Sequence, residues 1–458
     1  MKKLLRIKPV SHTQNEDGLK RCLHASDLIL LGIGAIIGAG VFVLTGIASA
    51  TQAGPAITLS FIVAGIVCAF TALCYAELAA SIGGAGSAYA YAYAGLGEII
   101  AWFIGWNLIL EYGMSTATIA VGWAGYVNNV FQSVGLNIPH TLLAGPLAGG
   151  IINLPAVLIV AVLMILLCVG TQQSAKFNSI IVFVKLLAIA VFLIVALFHI
   201  QPQNWTPFMP FGLQGVMNGA ALIFFSYIGF DAVSTAADEA INPQKDIPIG
   251  IIVSLFVCTL IYVAVAGLLT GIVSYTTLNV DSPVSAALLN LKQNFVAAIV
   301  AAGAIAGLTT TILVMFYGLT RVFFAISQDG LLPKFFAKIN PKTHTPIPVI
   351  IASGIIIMIA AGFVPIGALA EIVNLGTLAA FTAVCIGVII LRVRQPNLER
   401  PFKVPFYPIT PLLGTLFCIY LMIHLPKLTW ERYFVWILFG FFIYFAYSFR
   451  HSRLAKKP

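Results

Sequence analysis

About twelve long apolar segments restrict what this 458-residue sequence can fold into. They lie at about 27–50, 56–80, 98–131, 154–172, 176–199, 214–237, 248–273, 295–326, 347–364, 368–392, 409–426 and 432–450. Each is long enough to cross a hydrocarbon core of roughly 30 Å as a helix. Because backbone groups in lipid must find partners inside the protein, such segments fold as helices. We therefore predict an all-α polytopic membrane protein with about twelve transmembrane helices.

The composition agrees with this prediction, since 60% of the residues are apolar and only 9% are charged. A soluble domain carries far more charge on its surface. The seven cysteines are scattered without metal-ligand or disulfide spacing, and we expect neither a metal nor a cofactor. The histidines at the segment ends form no catalytic set with Cys, Asp or Glu, so we expect no enzyme.

The positions of the 24 lysines and arginines predict the orientation. Lys292, Lys427 and Arg432 fall in loops on one side, and Lys185 lies inside the fifth segment. The other 20 (24 − 3 − 1) fall on the side of the N-terminus. Positive loops stay in the cytoplasm, which places residues 1–26 and the tail 451–458 there and the protein in the cell membrane. The cytoplasmic lysines and arginines, which explain the net charge of +9, would then face anionic lipid headgroups. We therefore expect no nucleic-acid partner.

The first apolar segment contains four glycines within the nine residues 32–40. Each glycine costs a helix roughly 1 kcal/mol relative to alanine. One interpretation is a close helix–helix contact, because Gly34 and Gly38 have the small-xxx-small spacing of membrane helix pairs. The other is a deliberate break of the helix, which is tolerated only where protein or a polar cavity takes up the freed backbone groups.

A second interruption, in the sixth segment, favours the interpretation of the glycine run as a helix break. Ser226, Gly229 and Asp231 interrupt the sixth segment, five segments after the first. Five is an odd number, so two five-helix halves, 27–199 and 214–392, would have opposite orientations, with 409–450 as two added helices. Interrupted helices at matching positions of inverted halves indicate the substrate site of a transporter.

A helix break offers both charges that a zwitterion needs. The upstream half ends in unpaired carbonyls and the downstream half begins with unpaired amides, and the helix dipoles strengthen both. We predict that the amides of Gly38, Ala39 and Gly40 bind a carboxylate. Carbonyls of the two breaks would bind the ammonium.

Four motifs resemble those of the amino acid–polyamine–organocation (APC) superfamily, two of them in its cationic amino acid transporter branch. They are residues 34–42, 75–79 with 83–89, 225–231 with 239–243 and 247–248, and 321–330. The chain lacks the two further spans and longer loops of the eukaryotic members, so it resembles the bacterial ones.

This resemblance implies a five-plus-five inverted-repeat fold (the LeuT-like fold) that works by alternating access, with helices 1 and 6 broken at mid-membrane. It implies that Phe225 closes over the substrate as an outer aromatic gate. It also implies that Met315 lines the side-chain pocket. The substrate-binding residues it implies are Ile37, Gly38, Ala39, Gly40, Phe225, Ser226, Ile228 and Met315.

Lys185 lies about nine residues into the fifth segment, where an ionisable group is costly and usually faces the interior of the bundle. Alternatively, the long side chain of Lys185 extends its ammonium group to the cytoplasmic surface of the membrane. Lys185 is similar to the span-five lysine of the proton-coupled members of the fold. That resemblance implies an ammonium near the carbonyls of residues 34–36 and the hydroxyl of Thr310 or Thr311. We predict proton-coupled uptake, with Lys185 as the proton-coupling group.

The sequence leaves the substrate class open. Recognition of arginine or lysine requires a carboxylate or several carbonyls, and Glu111 is the acidic candidate in the third segment. The interpretation that we favour is that Glu111 is a structural partner of a buried polar group. Met315 and its apolar surroundings favour neutral L-amino acids such as alanine, with broad tolerance. Transport or exchange of cationic amino acids is the alternative, and an amino acid sensor built on the transporter fold is a second. We expect the protein to function as a monomer.

Overall fold

A computed structural model describes residues 6–7, 23–82, 87–133, 135–136, 138–169, 174–237, 240–280, 282–341, 343 and 345–455. Several predicted features lie outside these described residues. They are most of the N-terminal segment (1–5 and 8–22), residues 83–86 of the second motif, Glu239 of the third, and the last three residues of the tail.

The described residues form α-helices and short 3₁₀ and π-helical turns, with no β-strand among them. The α-helices are α1 (Ala25–Ile36), α2 (Thr45–Ala48), α3 (Ile57–Ile82), α4 (Ser87–Gly95), α5 (Glu98–Ser133), α6 (Leu154–Val169), α7 (Ser174–Leu197), α8 (Gly212–Ile223), α9 (Ala232–Thr235), α10 (Pro243–Ile272), α11 (Pro283–Asn290), α12 (Asn294–Gln328), α13 (Ile347–Phe363), α14 (Ile366–Arg394), α15 (Ile409–Ile423), α16 (Lys427–Ile443) and α17 (Phe449–His451).

Every predicted apolar segment overlaps at least one of these helices. Seven helical runs in the described part of the chain are long and apolar enough to cross a membrane. The first run, Ala25–Ile82, has 58 residues and takes in the first two predicted segments. Three shorter apolar helices, α6, α13 and α15, cover three further segments. The all-helical membrane architecture is confirmed, whereas the count of twelve crossings and the inverted symmetry stay predictions.

Several helices carry apolar side chains on an exposed face. On α6, Leu158, Val162 and Ile165 are each more than half exposed, as are Phe434 and Phe442 on α16. In water such faces would drive aggregation, whereas in a bilayer they contact lipid tails. The core lies on the opposite side of these helices and contains the two interrupted segments.

Both interruptions that the sequence predicts are present. The helix α1 ends at Ile36, and Ile37 has an extended backbone (φ −74°, ψ 97°). The chain becomes helical again in the π-helical turn Gly40–Leu44. In the sixth segment, α8 is followed by the 3₁₀ turn Phe224–Tyr227 and by an extended residue, Ile228 (φ −61°, ψ 134°).

Glycine allows the two interruptions to touch each other. Gly229 has φ +118°, and a Cβ built on it would lie 3.0 Å from the carbonyl carbon and oxygen of Ala35. A Cβ on Gly40 would overlap the main chain of Ser226. The glycines of the first segment therefore serve close packing as well as the break, so the two interpretations of this run are compatible.

Candidate functional site between the two helix breaks

A small cavity lies between the two breaks, α5 and α12. It is bordered by Ala35, Ile36, Gly38, Ala39, Gly40, Ser115, Ile119, Phe225, Ile228, Thr311 and Met315. None of these lining side chains is charged. The cavity therefore combines an apolar wall with the exposed backbone of the first break.

Six of the eight predicted substrate-binding residues border this cavity: Gly38, Ala39, Gly40, Phe225, Ile228 and Met315. The other two lie next to it. Ile37 presents its carbonyl to Lys185 and not to the cavity. Ser226 is buried against Gly40, and its hydroxyl has no hydrogen-bond partner among the described residues.

The backbone at the first break has both polarities. Gly40 begins a helical stretch that continues to Ala53, so the amides at its start have no acceptor inside the helix. The end of α1 supplies carbonyls on the other side of the break. A small molecule in the cavity therefore meets a partial positive charge and a partial negative charge a few ångströms apart.

Tyr262 on α10 joins the two breaks. Its hydroxyl lies 2.7 Å from the carbonyl oxygen of Ile36 and 2.7 Å from that of Ser226. A phenol has one proton, so it donates to one of these two carbonyls at a time. The second carbonyl then receives no proton from Tyr262.

Lys185 is fully buried and holds the end of α1. Its Nζ donates to the carbonyl oxygens of Gly34 and Ile37, both at 2.8 Å. Lys185 thus faces the bundle interior and does not extend to the surface. The acceptors differ in part from the predicted range 34–36, because the carbonyl of Ile37 also turns toward the lysine where the helix ends.

The two candidate threonines of α12 behave differently. Thr311 Oγ1 lies 3.2 Å from the carbonyl oxygen of Gly34, 3.1 Å from that of Ile37 and 3.0 Å from that of Gly307 in its own helix, and its one proton serves one of these acceptors at a time. Thr310 donates to Gly307 in its own helix, at 2.8 Å. The structure therefore places Thr311, and not Thr310, beside the break.

Glu111 lies on α5 outside the cavity lining and is fully buried. Neither of its carboxyl oxygens has a hydrogen-bond partner among the described residues. The interpretation of Glu111 as a hydrogen-bonded structural partner therefore finds no support in this conformation.

Sequence reasoning missed Tyr262, Ser115 and Ile119. Ser115 follows Glu111 by one helical turn, so the spacing on α5 was a usable signal. Tyr262 and Ile119 sit in apolar runs like many others, and only the packing of α10 and α5 against the breaks identifies them.

The comparisons with known proteins agree with this architecture. The family model described as amino acid permease matches residues 23–446. The methylthioribose transporter of Bacillus subtilis (strain 168) is 46% identical over 461 residues, covering 100% of both chains. The branched-chain amino acid permease BcaP of the same organism is 47% identical over 450 residues, covering 97% of both. The vacuolar cationic amino acid transporter 4 of Arabidopsis thaliana is 38% identical, covering 87% of this chain and 68% of its own length.

Proposed function

The chain belongs to the amino acid permease family, and on that premise we propose that it carries neutral L-amino acids across the cell membrane by proton-coupled symport. The relatives are transporters by name, in agreement with the expectation that the protein is not an enzyme. The observation that carries the proposal is the uncharged cavity between two interrupted helices.

The backbone around the cavity suits a zwitterion. The amides at Gly38–Gly40 would bind the substrate carboxylate, where missing side chains permit a close approach. The substrate ammonium would donate to whichever carbonyl of Ile36 or Ser226 the Tyr262 hydroxyl leaves unmet. The unpartnered hydroxyl of Ser226 is a further polar contact at the second break.

The wall of the cavity favours a neutral side chain. Ile119, Ile228 and Met315 provide apolar contacts, and a cationic side chain would find no charged side chain in the lining itself. The family relative BcaP is named for branched-chain substrates, and such aliphatic side chains fit this wall. We therefore place alanine and the branched-chain amino acids ahead of arginine and lysine.

Lys185 is the proposed proton-coupling group. As an ammonium it donates to the two carbonyls that end α1, and burial disfavours its charged form. Loss of the proton would weaken its hold on α1, which could then move. In the proposed alternating-access cycle, the halves 27–199 and 214–392 move relative to each other around the cavity, with Phe225 closing its outer side and both termini in the cytoplasm.

Uptake into proteoliposomes tests the proposal. Labelled leucine should accumulate when the outside is acidic and the inside alkaline, and collapse of the pH gradient should stop accumulation. Alanine and valine should compete, whereas arginine, lysine and methylthioribose should not. Accumulation that does not depend on the pH gradient would contradict proton coupling. Stronger competition by arginine than by alanine or valine would favour the cationic alternative. Binding without any flux would favour a sensor.

A further inference from the structure

Two buried carboxyl groups lie beside the cavity without a cation. Glu111 is on α5, and Asp231 follows the extended residue of the second break. Both residues are fully buried. They lie close enough to act electrostatically on each other, and no lysine, arginine or histidine among the described residues forms an ion pair with either.

Their hydrogen bonding is unequal. Tyr112 donates to Oδ2 of Asp231 at 2.7 Å, and backbone amides at the break also face this carboxyl group. Glu111 has no hydrogen-bond partner on either oxygen, and Oδ1 of Asp231 has none. Three carboxyl oxygens are therefore buried without a donor among the described residues.

The other groups around the pair are neutral. A third helix, α3, contributes Tyr75, whose phenol lies near both carboxyl groups. Tyr91 and Cys385 also lie near Tyr75. Thr377 on α14 lies beside Glu111, but its hydroxyl makes no hydrogen bond of good geometry. Nothing among these groups offsets two negative charges.

Two adjacent carboxylates without a cation are strongly unfavourable in a buried site. One proton removes the repulsion, which is how other buried carboxyl pairs are accommodated. The hydrogen bonds decide where it resides. Asp231 already has donors that stabilise its anion, whereas Glu111 has none, so the proton belongs on Glu111.

We propose that Glu111 and Asp231 hold one proton between them in this conformation, mainly on Glu111, as an acid site separate from Lys185. Ser115, one turn further along α5, lines the cavity with a hydroxyl that has no hydrogen-bond partner among the described residues. Since Asp231 belongs to the interrupted helix and Glu111 to α5, the proton lets the second break pack against α5. Movement of the break away from α5 would release it to water.

Infrared spectroscopy of the purified full-length protein tests this proposal without relying on transport. A protonated carboxyl group gives a carbonyl stretch that shifts in D₂O and disappears on ionisation. We expect this band in the wild type at neutral pH and its loss in Glu111→Gln. Asp231→Asn should retain it, because Glu111 then stands alone in an apolar site. The exposed Glu431→Gln is the control and should leave the band unchanged.

A wild type without a protonated carboxyl band at neutral pH would overturn the proposal, as would a band that persists unchanged in Glu111→Gln. If Glu111→Gln does not fold, Tyr112→Phe serves instead. It removes the hydrogen bond to Asp231 and should shift the band frequency, and an unshifted band would refute the shared proton. Leucine uptake plays no part in these outcomes, so failure here is distinguishable from failure of the proposed function.

Discussion

Replacement of Lys185 by methionine separates the holding of α1 from the binding of substrate. Methionine fills a similar volume but donates no hydrogen bond, so the carbonyls of Gly34 and Ile37 each lose a donor at 2.8 Å. Hydrogen bonds from a charged group contribute about 1.5–3 kcal/mol each. Thr311 has a single hydroxyl proton, so it can replace at most one of the two lost donors, and we estimate a net loss of about 3 kcal/mol for the observed position of α1.

That loss corresponds to roughly a hundredfold change in the balance between the observed position of α1 and any position without these hydrogen bonds, at about 1.4 kcal/mol per tenfold change. The variant also lacks the proposed proton-coupling group. We therefore expect Lys185→Met to abolish accumulation driven by a pH gradient, while some exchange of substrate between the two sides remains. The assay compares labelled leucine uptake in proteoliposomes at equal and unequal pH, with counterflow against internal unlabelled leucine.

Lys427→Met is the matched control, because this lysine side chain is 92% exposed and its ion pair with the exposed Glu431 is long, at 3.9 Å. It should accumulate leucine like the wild type. Retention of gradient-driven accumulation by Lys185→Met would refute the coupling role, even if the rate were lower. Loss of both accumulation and counterflow together with a loss of folded protein would show a structural role, so each variant is checked for a monodisperse peak in detergent.

Three further substitutions test the geometry of the cavity. Tyr262→Phe removes the donor shared by both breaks, so we expect a loss of about 1–3 kcal/mol in stability and slower uptake, measured by thermal unfolding and initial rates. Unchanged values would show that the hydroxyl is dispensable. Gly40→Ala places a methyl group on the main chain of Ser226 and should abolish uptake, whereas Gly367→Ala, which meets no atom within 4 Å, should not. Met315→Ala enlarges the cavity and should raise the affinity for longer neutral side chains relative to alanine in competition assays, and an unchanged ranking would remove Met315 from the specificity wall.

The positions of the breaks could be predicted from the sequence because their causes are local. Four glycines in residues 32–40 weaken any helix, and Gly229 is the residue that tolerates φ +118° in the second break. The deep position of Lys185 was also a local signal, since a lone lysine in an apolar run requires an internal partner.

The partners of these groups depend on packing and could not be predicted in the same way. Tyr262 is one of 15 tyrosines, and its sequence neighbours do not show that α10 crosses both breaks. Thr310 and Thr311 differ by about 100° around α12, so the residue that faces α1 depends on the rotation of that helix. The missing hydrogen-bond partners of Glu111 likewise depend on α5, α14 and the second break together.

The hydrogen bonds at the end of α1 lead us to expect that a bound substrate stabilises the arrangement of the two breaks seen in this structure. Lys185 and Thr311 supply donors to Gly34 and Ile37, but Tyr262 has one proton for two carbonyls at 2.7 Å. An amino acid ammonium carries three donors and can donate to the carbonyl that does not receive the Tyr262 proton. With substrate bound, the carbonyls of both breaks each have a donor. This arrangement requires that the two breaks remain in contact. A ligand without an ammonium fills the same space but leaves that carbonyl unmet, so it should stabilise the protein less against heat than leucine does.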